Sequence, residues 1–284
     1  MKKTGYAKIV LIAILLVTNG LVWIKILSFE ARPPLKVVFL DIGQGDSIFI
    51  ETKFGNQLLI DGGRNESLIR KLSKEISAFD KSIDVVLATH PDADHIGGLP
   101  VLLERFDVDV YVESGNESET LVYKSLEKIL SEKKIKRILG RRGLIIDLGG
   151  GIFAQILFPD RDVSKMESNL ASIVLKITYG DVSFMLSGDS PVSIESYLTS
   201  LEGNNLQSEV LKLGHHGSRT STSPDFLNLV SPRYSVVSAG LGNRYGHPHK
   251  EVISMVSDFG SEILETSKLG SVTFYSDGEK VWRK

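Results

Sequence analysis

The stretch that decides the fold is LATHPDADHIGG, residues Leu87–Gly98. It places two histidines and two aspartates within six residues, directly after an apolar run that predicts a buried strand. Imidazoles and carboxylates crowded in this way are costly to bury unless a cation lies among them. The pattern therefore predicts a metal site at the end of a strand, and a solvated polar turn is the alternative.

The donor atoms of this stretch narrow the choice of metal. His90, Asp92, Asp94 and His95 offer imidazole nitrogens and carboxylate oxygens, which suit Zn²⁺, Mn²⁺ or iron. The sequence contains no cysteine, so thiolate ligands, a cysteine nucleophile and any disulfide partner are excluded.

More candidate ligands follow later predicted strands. Asp189 ends the strand of FMLSGD, and His215 and His216 end the strand of VLKLGHHGS. Asp189 could equally cap a helix that begins near Pro191. Neighbouring residues of an extended chain point to opposite sides, so we expect at most one of the two histidines to bind metal. We expect His215 to be that ligand and His216 to support it or to contact the substrate.

Two glycine-rich strand ends carry further aspartates. DIGQGDS (Asp41–Ser47) offers Asp41, and LIDGG (Leu59–Gly63) offers Asp61. Both side chains are candidates for contacts around the metal site. The alternative is turn chemistry, which aspartate and glycine commonly provide.

The segment GNRYGHPH (Gly242–His249) predicts a loop that contacts phosphate. Asn243, Arg244 and His247 are its candidate residues. Capping of the following helix by His247 or His249 is the alternative interpretation.

Short strand-like runs alternate with amphipathic helical segments from residue 35 to the C-terminus. This order predicts one layered α/β domain, with helices outside two sheets. The stretch EARPP (Glu30–Pro34) predicts a stiff linker before it, because proline disfavours helix at the preceding residue.

The N-terminal segment predicts a membrane anchor over residues 1–30, and the layered domain then covers residues 31–284. Residues 7–27 are mostly apolar and reach the roughly 20 residues that a spanning helix needs. Lys2, Lys3 and Lys8 favour a cytoplasmic N-terminus, which would place the domain outside the cytoplasm of a single-pass membrane protein. A cleaved signal peptide and secretion form the alternative.

Charge limits the class of partner. The net charge is −2, and the first thirty residues contribute four lysines and one glutamate, so the remainder is more acidic. This balance excludes a generally basic nucleic-acid-binding protein. The run KKIKRILGRR (Lys133–Arg142) could contact a nucleic-acid backbone, or could simply be a solvated surface.

Taken together, the motifs identify a family. In chain order they are DIGQGDS, LIDGG, THPDADHIGG, SGD, HHGS and NRYGHPH. This series resembles the metallo-β-lactamase-fold domain of the ComEC/Rec2 competence family over residues 35–284. The resemblance implies a four-layer αββα sandwich that holds two divalent transition-metal ions, Zn²⁺ or Mn²⁺, between two sheets.

The resemblance also implies roles for individual residues. It gives His90 and Asp92 to one ion, Asp94, His95 and His215 to the other, and Asp189 to both as a bridge. Asp92 stands where most of the superfamily has histidine. The third histidine of the first ion has no counterpart, and Asn169 lies near its place as a possible ligand or substrate contact. Asp61 is expected to orient the ligands.

These features predict a hydrolase that cleaves phosphodiesters, with extracellular DNA as the expected substrate and competence as the expected context. Asp94, His216 and His247 are the residues expected at the reacting phosphate. The sequence has one candidate membrane helix rather than the many of a competence channel, so we expect the hydrolase module and not a pore. The alternatives are hydrolysis of another ester, such as an envelope phosphocholine ester or a lactone, and a non-catalytic metal-binding module.

Overall fold

Two β-sheets form the part of the chain that carries the predicted site. The computed structural model describes residues 2–30, 33–77 and 79–284, and the side chains of residues 2–7 and 25–30 lie outside this description. The chain divides into two units, Met1–Pro33 and Pro34–Lys284. The boundary predicted between residues 30 and 31 stays a prediction.

The first unit consists of helix α1 (Lys2–Glu30). Its described apolar side chains between Ile9 and Ile24 are exposed. Among the residues with described side chains, no helix combines the length and the apolarity that a membrane crossing requires. The predicted transmembrane helix is therefore not supported, and part of it lies outside the described side chains. Residues 31 and 32 of the predicted linker also lie outside the described residues.

The strands of the second unit are short, as the sequence predicts. In chain order they are β1 (Leu35–Phe39), β2 (Ile48–Thr52), β3 (Gln57–Ile60), β4 (Ser82–Ala88), β5 (Asp107–Glu113), β6 (Lys136–Leu139), β7 (Ile145–Asp147), β8 (Ile152–Phe158), β9 (Val174–Tyr179), β10 (Val182–Leu186), β11 (Val210–Lys212), β12 (Tyr234–Val237), β13 (Glu262–Glu265), β14 (Val272–Ser276) and β15 (Val281–Arg283).

Helices connect and cover these strands. The α-helices are α2 (Ser67–Leu72), α3 (Ala93–Ile96), α4 (Leu99–Arg105), α5 (Leu121–Glu132), α6 (Val192–Glu202), α7 (Pro224–Val230), α8 (Lys250–Phe259) and α9 (Thr266–Leu269). Short 3₁₀ turns span Asn169–Ala171, Gly203–Leu206 and Gly214–Gly217.

The strands form an eight-stranded and a seven-stranded sheet. The first sheet has the order β15-β14-β1-β2-β3-β4-β5-β6, and the second has the order β13-β12-β11-β10-β9-β8-β7. Strands β3 to β6 are parallel to one another, as are β10 to β13. Parallel neighbours require crossover connections, and α2 to α8 provide them.

Three buried clusters hold four layers together. Between the sheets, the Phe274 ring lies 6.0 Å from the rings of both Phe39 and Phe184. A second cluster packs the outer face of the first sheet against α2–α5. A third packs the outer face of the second sheet against α6–α8. The αββα sandwich is therefore confirmed.

Strand β4 explains why a continuous apolar run precedes the motif His90–His95. Val86 belongs to the cluster under the helices and Leu87 to the cluster between the sheets, and both are fully buried. A strand covered on both faces has no solvent-facing position, so its sequence does not alternate. The polar residues begin where β4 leaves the sheet.

The parallel strands of both sheets end at the same region of the sandwich. The segments after β4, β10 and β11 carry His90–His95, Asp189 and His215–His216 respectively. Loops positioned by a rigid scaffold commonly carry function. In this fold such loops come from both sheets.

Candidate metal centre

One carboxylate oxygen lies at the centre of the site. Asp189 is buried, and its Oδ2 atom faces the Nε2 atoms of four histidines. The distances from Asp189 Oδ2 are 3.3 Å to His95, 3.4 Å to His216, 3.7 Å to His215 and 4.0 Å to His90. Asp189 does not cap α6, because the residue at the N-cap is Pro191. The structure thus brings Asp189 together with the histidines of two separate motifs.

The motif after β4 contributes side chains on two sides of Asp189. His90 Nε2 lies 3.6 Å from Asp92 Oδ2, and Asp94 Oδ2 lies 3.5 Å from His216 Nε2. Asp92 occupies the N-cap of α3 without accepting a capping hydrogen bond, so its carboxylate faces His90 instead. All four ionisable residues of the motif therefore join the cluster.

Asp61 holds the far side of the His95 ring. Its Oδ2 atom lies 2.7 Å from His95 Nδ1, and the backbone N–H and the hydroxyl of Thr89 donate to its two oxygens at 2.8 and 2.7 Å. Asp61 adopts a positive φ of 58° at the turn after β3. A carboxylate in this place fixes the ring orientation and leaves Nε2 directed at the cluster.

Two buried residues of the site were not singled out from the sequence. Lys212 Nζ lies 2.6 Å from Asp46 Oδ2, 3.9 Å from Asp189 Oδ1, and donates to the Gly188 carbonyl at 3.3 Å. Asp46 is the second aspartate of DIGQGDS, and Lys212 is the only charge in the strand VLKL. An ionisable residue inside an apolar strand is the signal that could have revealed Lys212.

Asp41, the aspartate chosen from DIGQGDS, points elsewhere. Its Oδ2 atom lies 2.7 Å from Lys71 Nζ on α2, and its backbone N–H donates to Ser271 Oγ. The structure therefore brings Asp46 to the cluster and places Asp41 in an ion pair with α2.

The turn after β11 overturns the assumption of an extended chain. His215 and His216 have φ values of 49° and 57°, in the left-handed region. Both Nε2 atoms consequently face Asp189. The assumption that the two rings point to opposite sides is therefore wrong, while the expectation that at most one of them binds metal stays a prediction.

The two histidines differ in burial and in partners. His216 is buried, and its Nδ1 lies 2.9 Å from the Ser238 carbonyl oxygen. The side chain of His215 is 26% exposed, and its Nδ1 lies 3.0 Å from Thr220 Oγ1. His216 is also the histidine near Asp94. The deeper position thus belongs to His216, although the sequence predicts His215 as the ligand.

The buried histidines and aspartates of the cluster shift one another's pKa values, because their charges are opposite. Burial alone would lower the pKa of His95 and of His216, but Asp189 together with Asp61 or Asp46 raises both pKa values well above 6.5. Burial likewise favours the neutral form of Asp189, yet His216 and His95 hold its pKa well below the ordinary value. The positive charges of the two imidazoles are stabilised by buried carboxylates.

The loop 242–249 has a different internal structure from the one expected. The Asn243 amide donates to the carbonyls of Gly240 and His247 and accepts from the backbone N–H groups of Tyr245 and His247. Asn243 therefore stabilises the conformation of its own loop by hydrogen bonds. Arg244 is exposed, donates to the Tyr245 hydroxyl at 2.7 Å, and lies 4.8 Å from the Tyr245 ring.

His247 lies beside the cluster. Its ring centroid is 5.4 Å from that of His215 and 6.2 Å from that of His216. Burial and the neighbouring His215 and His216 lower the pKa of His247 to about 4. His249 occupies the N-cap of α8 without a capping hydrogen bond and instead accepts from the backbone N–H of Arg219.

The resemblance leaves the first ion without its third histidine, and Ser172 contacts Asp189 and His90 in this part of the site. Ser172 Oγ accepts from the backbone N–H of Asp189 at 3.1 Å and lies 3.4 Å from His90 Nδ1. Asn169, which begins the preceding 3₁₀ turn, has a buried Oδ1 atom without a hydrogen-bond partner.

The arginines of the basic run Lys133–Arg142 already have partners. Arg137 pairs with Glu113 and Glu127, Arg142 pairs with Glu202, and Arg141 donates to the Ser114 carbonyl. These contacts favour the surface interpretation of this segment.

The cluster fits divalent ions. The Nε2 atoms of His90, His95 and His216 and Oδ1 of Asp189 are buried without hydrogen-bond partners. Buried polar atoms normally have partners, so this group requires an explanation. Ligand atoms about 2 Å from a tetrahedral ion lie about 3.3 Å apart, and the shorter contacts to Asp189 Oδ2 match this spacing.

Curated relatives of the chain include competence proteins. ComE operon protein 3 of Bacillus subtilis is 29% identical over 92% of this chain and 36% of its own length. Competence protein ComA of Neisseria gonorrhoeae is 29% identical over 84% of this chain and 32% of its own length. Exodeoxyribonuclease WalJ of Streptococcus pneumoniae is 32% identical over 32% of this chain and 33% of its own length. The matched segments span about a third of each relative.

The fold is shared with solved structures. The metallo-beta-lactamase fold protein YhfI of Bacillus subtilis superposes with a TM-score of 0.56 at 14% identity, covering 89% of this chain and 100% of its own. The family model of the metallo-beta-lactamase superfamily matches residues 40–240. This match covers more than half of the chain and agrees with the fold, so the chain belongs to the metallo-β-lactamase superfamily.

Proposed function

We propose that this chain is a phosphodiesterase that holds two divalent ions, Zn²⁺ or Mn²⁺, and cleaves DNA. The observation that carries the proposal is the position of Asp189, whose one oxygen faces four imidazole Nε2 atoms from two motifs. A carboxylate at such a point can bridge two ions. Paired ions are a common device for in-line displacement at phosphorus.

Two sets of residues would hold the ions. Asp94, His95 and His216 form one set, and His90 with Asp92 forms the other, with Asp189 between them. We place His216 in the first set because it is buried and its Nε2 lies 3.5 Å from Asp94. When bound, the ions would lower the pKa of a water molecule and stabilise the charge of the phosphate.

The exposed side of the cluster supplies contacts for a phosphate. Arg244 is exposed, and the Tyr245 hydroxyl, with a smaller contribution from Asp94, raises its pKa. A charge-assisted hydrogen bond from this guanidinium would orient a phosphate near Asp94. His215, which is partly exposed, lies on the same side as His247.

His247 has a restricted chemical role. With a pKa of about 4 it is neutral near pH 7, and its buried Nδ1 has no hydrogen-bond partner. A neutral imidazole can accept a proton or a hydrogen bond, but it does not supply the proton that a general acid would give. We therefore assign His247 to substrate contact rather than to protonation of the leaving group.

The named relatives, and not the charge of the chain, support DNA as the proposed substrate. The chain is acidic overall, and the arginines of the Lys133–Arg142 run are engaged, so binding would depend on the ions and Arg244. One relative is named an exodeoxyribonuclease and another a competence protein, which supports a nuclease with a role in competence.

Location outside the cytoplasm stays a proposal based on the N-terminal lysines. A protease added to intact cells should digest residues 34–284. Protection of this domain until the cells are lysed would contradict the proposed location.

Hydrolysis assays with the full chain test the function. We expect Mn²⁺ or Zn²⁺ to support cleavage of bis-p-nitrophenyl phosphate and of single- or double-stranded DNA, and EDTA to abolish it. Asp189→Asn should reduce cleavage at least about 100-fold, as expected when charge stabilisation at the reacting group is lost. Asp41→Asn is the control, because Asp41 pairs with Lys71. The proposal would be overturned if the protein hydrolysed a lactone or a phosphocholine ester but cleaved no phosphodiester bond of DNA.

A further inference from the structure

Asp46 approaches the histidines from the side opposite Asp189. Its Oδ1 atom, which is buried without a hydrogen-bond partner, lies 3.4 Å from His216 Nδ1, and its Oδ2 atom lies 4.0 Å from His95 Nδ1. Asp189 lies near the Nε2 atoms of the same two rings. Although Asp46 lies close enough to be a candidate ligand, it faces the ring nitrogens that point away from the proposed ions.

Lys212 forms an ion pair with the Oδ2 atom of Asp46. The ammonium group lies 2.6 Å from Asp46 Oδ2, and the side chains of both residues are almost fully buried. A buried carboxylate that is paired with a buried ammonium carries its own counter-charge. Asp46 therefore needs no metal ion for neutralisation.

Each of the two buried histidines has a hydrogen-bond acceptor and a carboxylate near its Nδ1 atom. His95 Nδ1 faces Asp61 at 2.7 Å, and His216 Nδ1 faces the Ser238 carbonyl at 2.9 Å and Asp46 at 3.4 Å. A carbonyl or carboxylate at Nδ1 keeps the proton there and leaves Nε2 free for a cation. Asp46 thus faces Nδ1 of His216 as Asp61 faces Nδ1 of His95, but at a longer distance and beside the Ser238 carbonyl.

We infer that Lys212 and Asp46 are positioning residues, and that Asp46 does not ligate a metal ion. Lys212 fixes the Asp46 carboxylate, and Asp46 with the Ser238 carbonyl orients His216 so that its Nε2 faces the ion. The inference rests on the proposed metal centre. The inference extends the description of that centre, because it distinguishes the aspartates that would bind ions from those that orient the histidines.

Metal binding by the full chain tests the role of Asp46. We expect Asp46→Asn to bind as many Co²⁺ ions at saturation as the wild type, with the same visible absorption spectrum. Its affinity should fall about 10- to 100-fold, as for other partners of a histidine ligand. Asp189→Asn should change the stoichiometry or the spectrum, and Asp41→Asn should change neither. A Co²⁺ ion lost from Asp46→Asn, or an altered spectrum, would show that Asp46 is a ligand.

Thermal unfolding of metal-free protein tests the role of Lys212. Lys212→Met should lower the Tm, because it leaves the buried Asp46 carboxylate unpaired. The double variant Lys212→Met with Asp46→Asn should recover part of the loss, since neither buried charge remains. Absence of that recovery would overturn the pairing, and so would an unchanged Tm in Lys212→Met.

Different results would refute the proposed function and the inference about Asp46 and Lys212. Wild-type protein that binds Co²⁺ but cleaves no phosphodiester would refute the proposed function, while the comparison of variants by spectrum and Tm would still decide the inference. Wild-type protein that binds no Co²⁺ would overturn both.

Discussion

Asp61 Oδ2 lies 2.7 Å from His95 Nδ1, and both side chains are buried. Because Thr89 donates two hydrogen bonds to the same carboxylate, Asp61 cannot rotate away from the ring without losing them. The orientation of His95 is therefore determined by strands β3 and β4, before any ion binds.

This relationship predicts the effect of Asp61→Asn. The amide keeps the size of the carboxylate but removes its charge, so His95 becomes a weaker ligand. We expect the affinity for Zn²⁺ to fall about 10- to 100-fold, with an unchanged number of ions at saturation. Titration against a chromophoric chelator measures both quantities. An affinity equal to that of the wild type would show that Asp61 has no influence on the site.

The pKa values of the cluster predict how the stability of metal-free protein depends on pH. His95 and His216 have raised pKa values, so their stabilising contribution is complete below about 6.5 and is lost as the pH rises through the folded-state values. Asp46, Asp94 and Asp189 have lowered pKa values, so their contribution is present above about 3.8 and is lost on acidification.

From these five groups alone, metal-free protein should be most stable between about pH 4 and 6.5. His247 and His215 have lowered pKa values, so they act in the opposite direction and reduce stability as the pH falls below about 6.5. Addition of Zn²⁺ should remove the loss on the alkaline side, because the ion replaces the protons on the imidazoles. Thermal unfolding from pH 4 to 9 with and without Zn²⁺ measures this effect. Tm curves that stay parallel over the whole range would contradict the assignment of His95 and His216.

The two adjacent histidines should differ when replaced. His216→Ala should lower the number of bound ions, because His216 is buried beside Asp94 and Asp189. His215→Ala should keep the ions and slow turnover, because His215 is partly exposed next to His247. Elemental analysis of dialysed protein and the rate of bis-p-nitrophenyl phosphate hydrolysis distinguish the two effects. Equal loss of metal in both variants would make His215 a ligand as well.

Arg244 should act on the substrate and not on the ions. Arg244→Gln is expected to lower kcat/KM for DNA by about tenfold, because one charge-assisted hydrogen bond to the substrate is lost, with unchanged metal content. Arg161→Gln is a matched control, since the Arg161 guanidinium lies 5.0 Å from the Tyr197 ring and pairs with Asp160. A similar decrease in both variants would indicate a general effect of charge instead.

Local chemistry made much of the site predictable. The run from His90 to His95 combines four metal donors directly behind a buried strand, and the alternation of strands and helices indicates the layered sandwich. Both features depend on neighbours in sequence. The layered fold could therefore be predicted from these features, whereas the convergence of the motif with Asp189 is implied only by the resemblance to the ComEC/Rec2 family.

The remaining residues depend on geometry that the sequence does not display. Asp41 and Asp46 lie five positions apart, and only the position of Lys71 on α2 shows which of them leaves the site. The order of His215 and His216 depends on a left-handed turn, which non-glycine residues rarely adopt. Lys212 lies in an apolar strand, and its role could not be predicted without knowing that Asp46 faces it.

The site is shared between the two sheets. Asp46, Asp61 and His95 follow strands of the first sheet, whereas Asp189, Lys212 and His216 belong to the second sheet or follow its strands. Neither half of the sequence contains a complete set of donors, so a fragment that ends between β6 and β7 should bind metal weakly by itself. Two complementary fragments, cut at residues 140–144, should recover binding only when they associate. A bound ion would then act as a cross-link between the halves of the sandwich, and metal affinity would become a direct measure of their assembly.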